Sequence, residues 1–373
     1  MPIGAAIDHA GSADQMTDTP KVQPRAATPG RRATQRPTIR DVSRLAGVSR
    51  MTVSRVLSDP ELVLPATREK VHKAIADLGY VPDRAAGSLS SRRTGFIALM
   101  LPTLTNANFA AVAHGLTEAL READYHLLIA YTDYDMAEEE RQLRNLLARR
   151  PEALVLTGAV HRRNASRMLL AADIPVVEIA DLPSQPIEHA IGFSNYQVGR
   201  TAARYLIDAG FTRIGAIAAS PEGEVTDHRG EERMRGFEDE LRLSRMSTAM
   251  VMRHGTAPVS FHHGAGAIRA LVERDPAVEA VFAVSDLSAV GAVMECQRMG
   301  VRVPDDISIM GFGDFEIGRE INPALTTIHA DFRALGLRTG EMLRELLADG
   351  GDAEARMIDV GLRVIERASI RGR

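Results

Sequence analysis

The chain has 373 residues, of which 45% are apolar, and it carries a formal net charge of −4. It is too long for one small domain and suits two or three. The single cysteine, Cys296, excludes an internal disulfide and a cysteine metal cluster, which fits a reducing cytoplasm. The N-terminus has no basic segment followed by an apolar run, and no 18 apolar residues are contiguous, so we expect neither a secretory signal nor a membrane span.

The charge is distributed unevenly along the chain. Residues 1–36 carry a net charge of +2, residues 37–95 carry +4, and the remainder carries −10. Positive charge therefore collects in the N-terminal quarter, where it could face the phosphate backbone of DNA. The acidic remainder discourages indiscriminate adhesion.

Residues 1–36 are rich in Pro, Ala, Thr and Gly and show no apolar periodicity. We interpret them as a disordered leader. The arginines of this segment would add nonspecific attraction to DNA: Arg25, Arg31, Arg32 and Arg36. A translation start assigned too far upstream is the alternative interpretation.

Residues 38–57 predict two short amphipathic helices joined by a tight turn at 47–49. Thr38 is the expected N-cap of the first helix, with Asp41 in a capping-box position, and Ser49 can cap the second. Apolar residues recur at helical spacing in both helices: Ile39, Val42, Leu45 and Ala46 in the first, and Val53, Val56 and Leu57 in the second.

The opposite face of the second helix carries Arg50, Met51, Ser54 and Arg55. A guanidinium at each end, with a hydroxyl and an unbranched thioether between them, suits a helix that lies in the major groove of DNA. The alternative is an ordinary helical hairpin with a solvated basic face.

A third helix is predicted from Thr67, and Gly79 ends it as a C′ residue would. The motifs A-G-V-S at the turn, T-V-S-R-V-L in the second helix, G-Y-x-P at 79–82 and S-L at 88–89 then follow in order. This order of motifs resembles the lac-repressor family of bacterial transcription regulators, and the resemblance extends to the C-terminal end of the chain.

The resemblance implies which residues contact DNA. Arg50, Met51 and Arg55 match positions that read base edges, where arginine can bond two guanine acceptors and methionine can touch only apolar groups. Residues 85–91 match a hinge helix that folds when two subunits meet over the operator, and Leu89 matches a leucine that wedges into the minor groove. The full implied set, including hydroxyls for the phosphates, is Thr38, Ser49, Arg50, Met51, Thr52, Ser54, Arg55, Tyr80 and Leu89.

After Gly95, short apolar runs alternate with helical segments. They occur at 96–102, 126–131, 153–158 and 175–180, and again at 213–220, 250–254, 280–286 and 307–312. Buried strands alternating with helices predict parallel sheets covered on both faces, and the repetition predicts two α/β subdomains of similar build. The resemblance implies a two-lobed, periplasmic-binding-protein-like core of two doubly wound parallel sheets with a ligand in the cleft.

These patterns and the resemblance divide the chain into five parts. We expect a disordered leader at 1–36, a helix-turn-helix DNA-binding domain of three helices at 37–84, and a hinge helix with linker at 85–95. The first core subdomain would comprise 96–194 with 329–350, and the second 195–328 with 351–373.

Ligands of open parallel sheets bind beyond the carboxyl ends of the strands, where the family places its effector. Arg233 matches the ligand-binding arginine of the family, and Gly313 replaces a carboxylate that many members place in the cleft. A retained arginine beside a deleted carboxylate favours an acidic ligand. The residues expected to bind the effector are Asn106, Asn108, Phe109, Glu178, Asp181, Arg229, Arg233, Ser285, Asp286, Asp314 and Phe332.

The segments RMTVSRVL, SDPELV and VPDDISIMGF are similar to the gluconate-operon repressor branch of the family. That similarity implies gluconate or a close sugar acid as the effector. Glu178 and Asp181 would hold polyol hydroxyls, while Arg229 or Arg233 would hold the carboxylate.

Two other classes of protein compete with a regulator. A sugar-binding transport component would need a signal peptide and would lack the N-terminal helices. An enzyme would need a catalytic motif, and the sequence has no phosphate loop, no H-E-x-x-H and no G-x-S-x-G elbow. The adjacent His262 and His263 have no evident third ligand, so we expect no metal and no cofactor.

We therefore predict a homodimeric, non-enzymatic repressor of sugar or sugar-acid catabolism genes, located in the cytoplasm with the nucleoid. It would bind a pseudo-palindromic operator in double-stranded DNA and be released by its effector. A response to a neutral sugar, or action with a corepressor, is the alternative.

Overall fold

The computed structural model describes residues 37–82, 94–348 and 354–372. The chain divides near residue 90 into two compact units, and each is described by itself. The predicted leader, the predicted hinge helix and Leu89 lie outside the described residues.

The N-terminal unit contains α1 (Ile39–Ala46), α2 (Arg50–Ser58), a 3-10 turn (Pro60–Leu62) and α3 (Pro65–Leu78). Its core is made by one small cluster of buried side chains: Val42, Val53, Val56, Val71 and Ala74. The third helix begins two residues before the predicted Thr67, because Pro65 occupies the first helical position, where its fixed φ favours the helix. Leu45 and Leu57, expected in the core, are instead exposed.

The larger unit contains two six-stranded sheets. Its strands are β1 (Phe96–Leu101), β2 (His126–Tyr131), β3 (Ala153–Thr157), β4 (Val176–Ile179), β5 (His189–Gly192), β6 (Ile214–Ser220), β7 (Val251–Thr256), β8 (Ala280–Ala283), β9 (Ser308–Phe312), β10 (Thr326–His329), β11 (Met357–Asp359) and β12 (Arg363–Ile365). Its helices are α4 (Ala107–Leu120), α5 (Met136–Leu147), α6 (Arg163–Leu170), α7 (Asn195–Asp208), α8 (His228–Leu243), α9 (Phe261–Arg274), α10 (Asp286–Met299), α11 (Glu316–Glu320) and α12 (Phe332–Ala348), with a 3-10 turn at Arg121–Ala123.

Both sheets have the doubly wound order that alternating strands and helices predict. The first sheet runs β11-β5-β4-β3-β1-β2, and every pair of neighbours is parallel. The second runs β12-β10-β9-β8-β6-β7, and among these pairs only β12 is antiparallel to its neighbour. The predicted fold class is thereby confirmed.

The chain crosses between the subdomains after β5, after β10 and after β11, which corrects two predicted boundaries. Residues 351–373 were expected to lie wholly in the second subdomain, but Met357 pairs with Ala190 in the first sheet. Only the following strand returns to the second sheet, where Val364 pairs with Ile328. His329, placed at the start of a first-subdomain segment, is the last residue of β10 in the second sheet.

Three phenylalanine rings pack together where the chain crosses. The ring centroid of Phe193 lies 5.6 Å from that of Phe312 and 5.7 Å from that of Phe332. They belong to a hydrophobic cluster that continues from the first subdomain into the second. The hydrophobic core is therefore continuous between the two lobes at these crossings. Among the described residues, no helix is long and apolar enough to cross a membrane.

Helices α7 and α8 pack backbone against backbone because glycines remove the side chains between them. A Cβ atom on Gly199 would lie 1.8 Å from the carbonyl oxygen of Arg233, and one on Gly236 would lie 2.0 Å from that of Tyr196. This close approach sets the position of α8 and hence of the residues that α8 carries toward the cleft.

We expect Gly199→Ala to force α8 away from α7 and to destabilise the core by about 1–3 kcal/mol, as overpacking does. The melting temperature of the core, followed by circular dichroism, should fall by several degrees. Gly318→Ala is the matched control, since its Cβ would meet Leu325 at an ordinary 3.4 Å. Equal melting temperatures for the two variants would contradict the packing argument.

Candidate functional site

The N-terminal unit presents the predicted basic face to solvent. Met51 is 69% exposed, and Arg50, Ser54 and Arg55 are exposed beside it. Within the described residues, neither Arg50 nor Arg55 forms an ion pair. Both guanidinium groups are therefore available to a partner.

Capping hydrogen bonds fix the N-terminal ends of α1 and α2. The Ser49 Oγ atom accepts a hydrogen bond from the Thr52 amide at 3.0 Å, which caps α2. At α1, the Thr38 amide and hydroxyl both donate to an Asp41 carboxylate oxygen, at 3.0 and 2.7 Å, and hold the pKa of that carboxyl below its usual value. Tyr80 is partly buried and packs against the three-helix core.

A cavity lies between the subdomains of the larger unit, and its empty volume, including space open to solvent, is about 440 Å³. Seven of the predicted effector residues line it: Asn106, Asn108, Phe109, Arg229, Arg233, Ser285 and Phe332. The other lining residues were not predicted: Tyr134, Ala180, Phe193, Asn195, Asp227, Val259, Phe312 and Phe315. Both lobes contribute to the wall.

Arg233 is the more buried of the two cations that line the cavity. It is only 6% exposed, and its guanidinium carbon lies 4.5 Å from the centroid of the Phe312 ring. The nearest carboxylate oxygen, on Asp227, is 3.9 Å from Nη2, which is too far for a hydrogen bond. Burial lowers the pKa of the Arg233 guanidinium, yet an arginine in a protein stays charged.

Arg229 connects the two lobes. Its Nη1 atom donates to the carbonyl oxygen of Thr157 in the first subdomain at 3.2 Å. Its guanidinium lies 5.5 Å from the ring centroid of Phe109 and 5.9 Å from that of Tyr134. These contacts engage Arg229 across the cleft, so Arg233 is the more available of the two cations.

Three buried polar atoms of residues that line this cavity have no hydrogen-bond partner among the described residues: Arg233 Nε, Asp227 Oδ1 and Asn195 Oδ1. A buried polar atom without a partner is costly, by about 1–3 kcal/mol. One is a donor on a cation and two are acceptors. The set is complementary to a small molecule that carries an anionic acceptor together with hydroxyl donors.

Four predicted effector residues do not line this cavity. The Asp181 Oδ1 atom accepts hydrogen bonds from the Leu182 amide and, at 3.2 Å, from Asn195 Nδ2. Asp286 is fully buried, accepts from the Thr327 hydroxyl at 2.7 Å and from the Phe315 amide at 2.9 Å, and has its pKa raised by burial to about 7.

Asp314 is turned away from the cavity by ion pairs with Arg367 at 2.5 Å and Arg319 at 2.8 Å. Burial by itself would raise the pKa of this carboxyl, but the two arginines hold it below its usual value. Asp314, which follows Gly313, was expected among the effector-binding residues. The structure instead assigns it to a charge cluster within the second subdomain.

Glu178 lies on the opposite face of the first sheet. Its neighbours Val177 and Ile179 face the shared core, so strand alternation directs Glu178 the other way. There its carboxylate lies 3.2 Å from Nε2 of His161, while Nδ1 of the same imidazole lies 2.7 Å from a Glu139 oxygen. Burial alone would lower the pKa of His161, but the two carboxylates raise it to about 9.

The residues that sequence reasoning missed lie close to predicted ones. Asp227 stands two residues before Arg229, and Phe312 and Phe315 flank the Gly313-Asp314 pair. Asn195 follows the strand from which the chain first crosses between the lobes. Position shortly beyond a strand end was a usable signal for Asn195, Phe315 and Tyr134, which follow β5, β9 and β2 by three residues each. Phe312 is itself the last residue of β9, and Asp227 lies seven residues beyond β6.

Comparison with known proteins gives two matching families. Residues 38–83 match bacterial regulatory proteins of the lacI family, and residues 203–370 match a periplasmic binding protein-like domain. The HTH-type transcriptional regulator GntR of Escherichia coli (strain K12) is 32% identical over 90% of this chain and 99% of the relative. The regulator of the same name from Pseudomonas aeruginosa is 34% identical over 91% and 97%.

A solved structure is also similar over most of its length. The LacI-family transcriptional regulator from Silicibacter pomeroyi is 30% identical, with a TM-score of 0.83, over 90% of this chain and all of that chain.

The His161 cluster generates a pH prediction. Because the folded-state pKa of about 9 lies above the ordinary value of 6.5, protonated His161 contributes about 3 kcal/mol below pH 6.5. That stability is lost as the pH rises through about 9. A ¹³C-histidine titration by NMR, assigned with a His161→Gln variant, should show the raised midpoint.

Glu139→Gln should lower that midpoint, because one of the two carboxylates that favour the imidazolium is removed. A wild-type midpoint near 6.5 would contradict the predicted charge on His161.

Proposed function

The chain belongs to the lacI family of bacterial regulatory proteins and is a DNA-binding transcriptional regulator; from this premise we propose that it represses sugar-acid catabolism genes and is released from its operator by an acidic sugar. The effector would occupy the cavity around Arg233. It would be bound unchanged, without catalysis. Gluconate, or a close sugar acid, is the ligand that we propose first.

The observation that carries this proposal is the unmatched hydrogen-bonding capacity of Arg233. A buried guanidinium that forms no hydrogen bond to its neighbouring carboxylate favours an anion, since a charge-assisted hydrogen bond there is made away from water. The unpartnered oxygens of Asp227 and Asn195 favour hydroxyl donors on the same molecule. A carboxylate attached to a polyol carries both kinds of group.

The charge of the cavity supports an anionic ligand. Among its lining residues, Arg229 and Arg233 are cationic and only Asp227 is a carboxylate. Gly313 has φ +125°, and a Cβ there would lie 2.7 Å from the Phe315 ring and 2.8 Å from the Asn108 amide nitrogen. A carboxylate side chain at this position is therefore disfavoured by space.

On the DNA side we propose that α2 enters the major groove of a pseudo-palindromic operator, with two copies of the chain bound as a dimer. Arg50, Met51 and Arg55 would face base edges. Thr38, Ser49, Thr52 and Ser54 would face phosphates, and Tyr80 and Leu89 complete the proposed set. The guanidinium groups of α2 support this assignment, because they are exposed and form no ion pair within residues 37–82.

Arg233→Gln should abolish gluconate binding, because the cavity loses the cation that an acid requires. We expect affinity to fall about 100-fold or more, as for a truncated buried charge pair. Arg235→Gln is the control, since Arg235 lies on the same helix but is exposed and paired with Glu232. Isothermal titration of each variant with gluconate and with glucose measures the two affinities.

Tighter binding of glucose than of gluconate by the wild type would contradict an acidic effector and favour a neutral sugar. Operator affinity that gluconate leaves unchanged, despite binding, would contradict release as the response. Operator affinity that gluconate raises would indicate a corepressor.

Arg50→Lys should distinguish the contribution of base contacts to DNA binding from the contribution of positive charge. Lysine keeps the positive charge but lacks the planar fork that bonds guanine at two acceptors. We expect binding to an operator selected from a randomised duplex library to weaken by about 1–3 kcal/mol. Binding to an unrelated duplex should be unchanged, whereas Arg50→Ala should weaken both. Equal losses for Arg50→Lys on the two duplexes would contradict base reading.

A further inference from the structure

A second cavity, of about 430 Å³, adjoins the first between the same two lobes. Polar groups on its wall include Thr132, Glu139, Asp181 and His228. Its wall otherwise differs from that of the first cavity, but Tyr134 and Arg229 line both. These two side chains therefore form the partition between the cavities.

The backbone of Tyr134 is in an unusual conformation. Asp133 and Tyr134 have φ values of 50° and 65°, in the left-handed region that bulky residues rarely adopt. Such a conformation persists where the surroundings hold it in place, and it occurs most often at functional sites. Tyr134 is thus positioned at some cost in backbone energy.

Contacts from the opposite lobe hold this turn. The Thr226 amide donates to the Tyr134 carbonyl oxygen at 3.1 Å, and the Met136 amide donates to the Glu224 carbonyl oxygen at 3.2 Å. The Tyr134 ring lies 5.9 Å from the Arg229 guanidinium. Both the main chain and the ring of Tyr134 are therefore fixed relative to the second subdomain.

We propose that Tyr134 is a specificity-determining residue that limits the effector to a single sugar acid. Its ring lies on one side of the Arg233 cavity and, together with Arg229, separates it from the second cavity. Removal of the ring would leave Arg229 as the remaining side chain of the partition and open a passage beside it. The second sugar of a disaccharide acid could then extend toward Thr132, Glu139, Asp181 and His228, whose polar atoms suit hydroxyl groups.

This inference rests on the proposed function, because it takes the Arg233 cavity to be the effector site. The test uses the full-length chain and two matched pairs of ligands. One pair is gluconate and lactobionate, an acid in which a galactose is attached to gluconate. The other pair is the neutral glucose and cellobiose, which tests the same size limit without the acid.

Isothermal titration should show that the wild type binds gluconate and rejects lactobionate. Tyr134→Ala should bind lactobionate at least about tenfold more tightly than the wild type does, a change of about 1.4 kcal/mol. Tyr134→Phe keeps the ring and should still reject the longer acid. Tyr131→Ala, which removes an exposed ring three residues away, should behave as the wild type.

Wild-type binding of lactobionate as tight as that of gluconate would overturn the inference. So would a Tyr134→Ala variant that keeps gluconate binding and gains nothing for lactobionate. If the protein binds glucose or cellobiose but neither acid, the proposed acidic effector is overturned. In that case, tighter binding of cellobiose by Tyr134→Ala than by the wild type would still support the size limit. Failure of all four ligands to bind would overturn both proposals.

Discussion

The cleft of the larger unit contains a cation that has been removed from water without a hydrogen-bonded counterion. A buried charge is costly unless it is paired and hydrogen-bonded. Among the described residues, Arg233 has the Phe312 ring at 4.5 Å and the Asp227 carboxylate at 3.9 Å, which is too far for a hydrogen bond. Arg233 stays buried despite this cost in free energy because its helix, α8, is packed tightly against α7 at Gly199. A ligand that completes the pairing would gain the interaction that the folded chain lacks.

The same cavity is where the two lobes meet, so ligand binding and lobe geometry are coupled. Arg229 donates to the Thr157 carbonyl oxygen, and Asn108 Nδ2 donates to the Gly313 carbonyl oxygen at 3.2 Å. Each bond joins one lobe to the other. A ligand can shift the arrangement of the lobes only by binding one arrangement more tightly than another, and these bonds are the contacts that it would reinforce or displace.

Much of the fold could be predicted because its signals are local. Periodicity identified the alternating strands and helices, and the basic face of α2 is exposed as its spacing indicated. The family resemblance identified Arg233 as a cavity residue, and position beyond a strand end identified Asn108. The same rule misplaced Glu178, because a side chain within a strand alternates between faces, and Glu178 lies on the face with His161.

By itself, then, the sequence determined the two α/β subdomains, the helix pair with its exposed arginines, and the presence of an arginine near the cleft. Only the tertiary structure decided which polar side chains face the cavity. Asp286 is turned inward by Thr327, 41 residues away, and Asp314 by Arg367, 53 residues away. Tyr134 is held by a main-chain bond from the other lobe. Such partners are brought together by three crossings of the chain, and no local pattern records them.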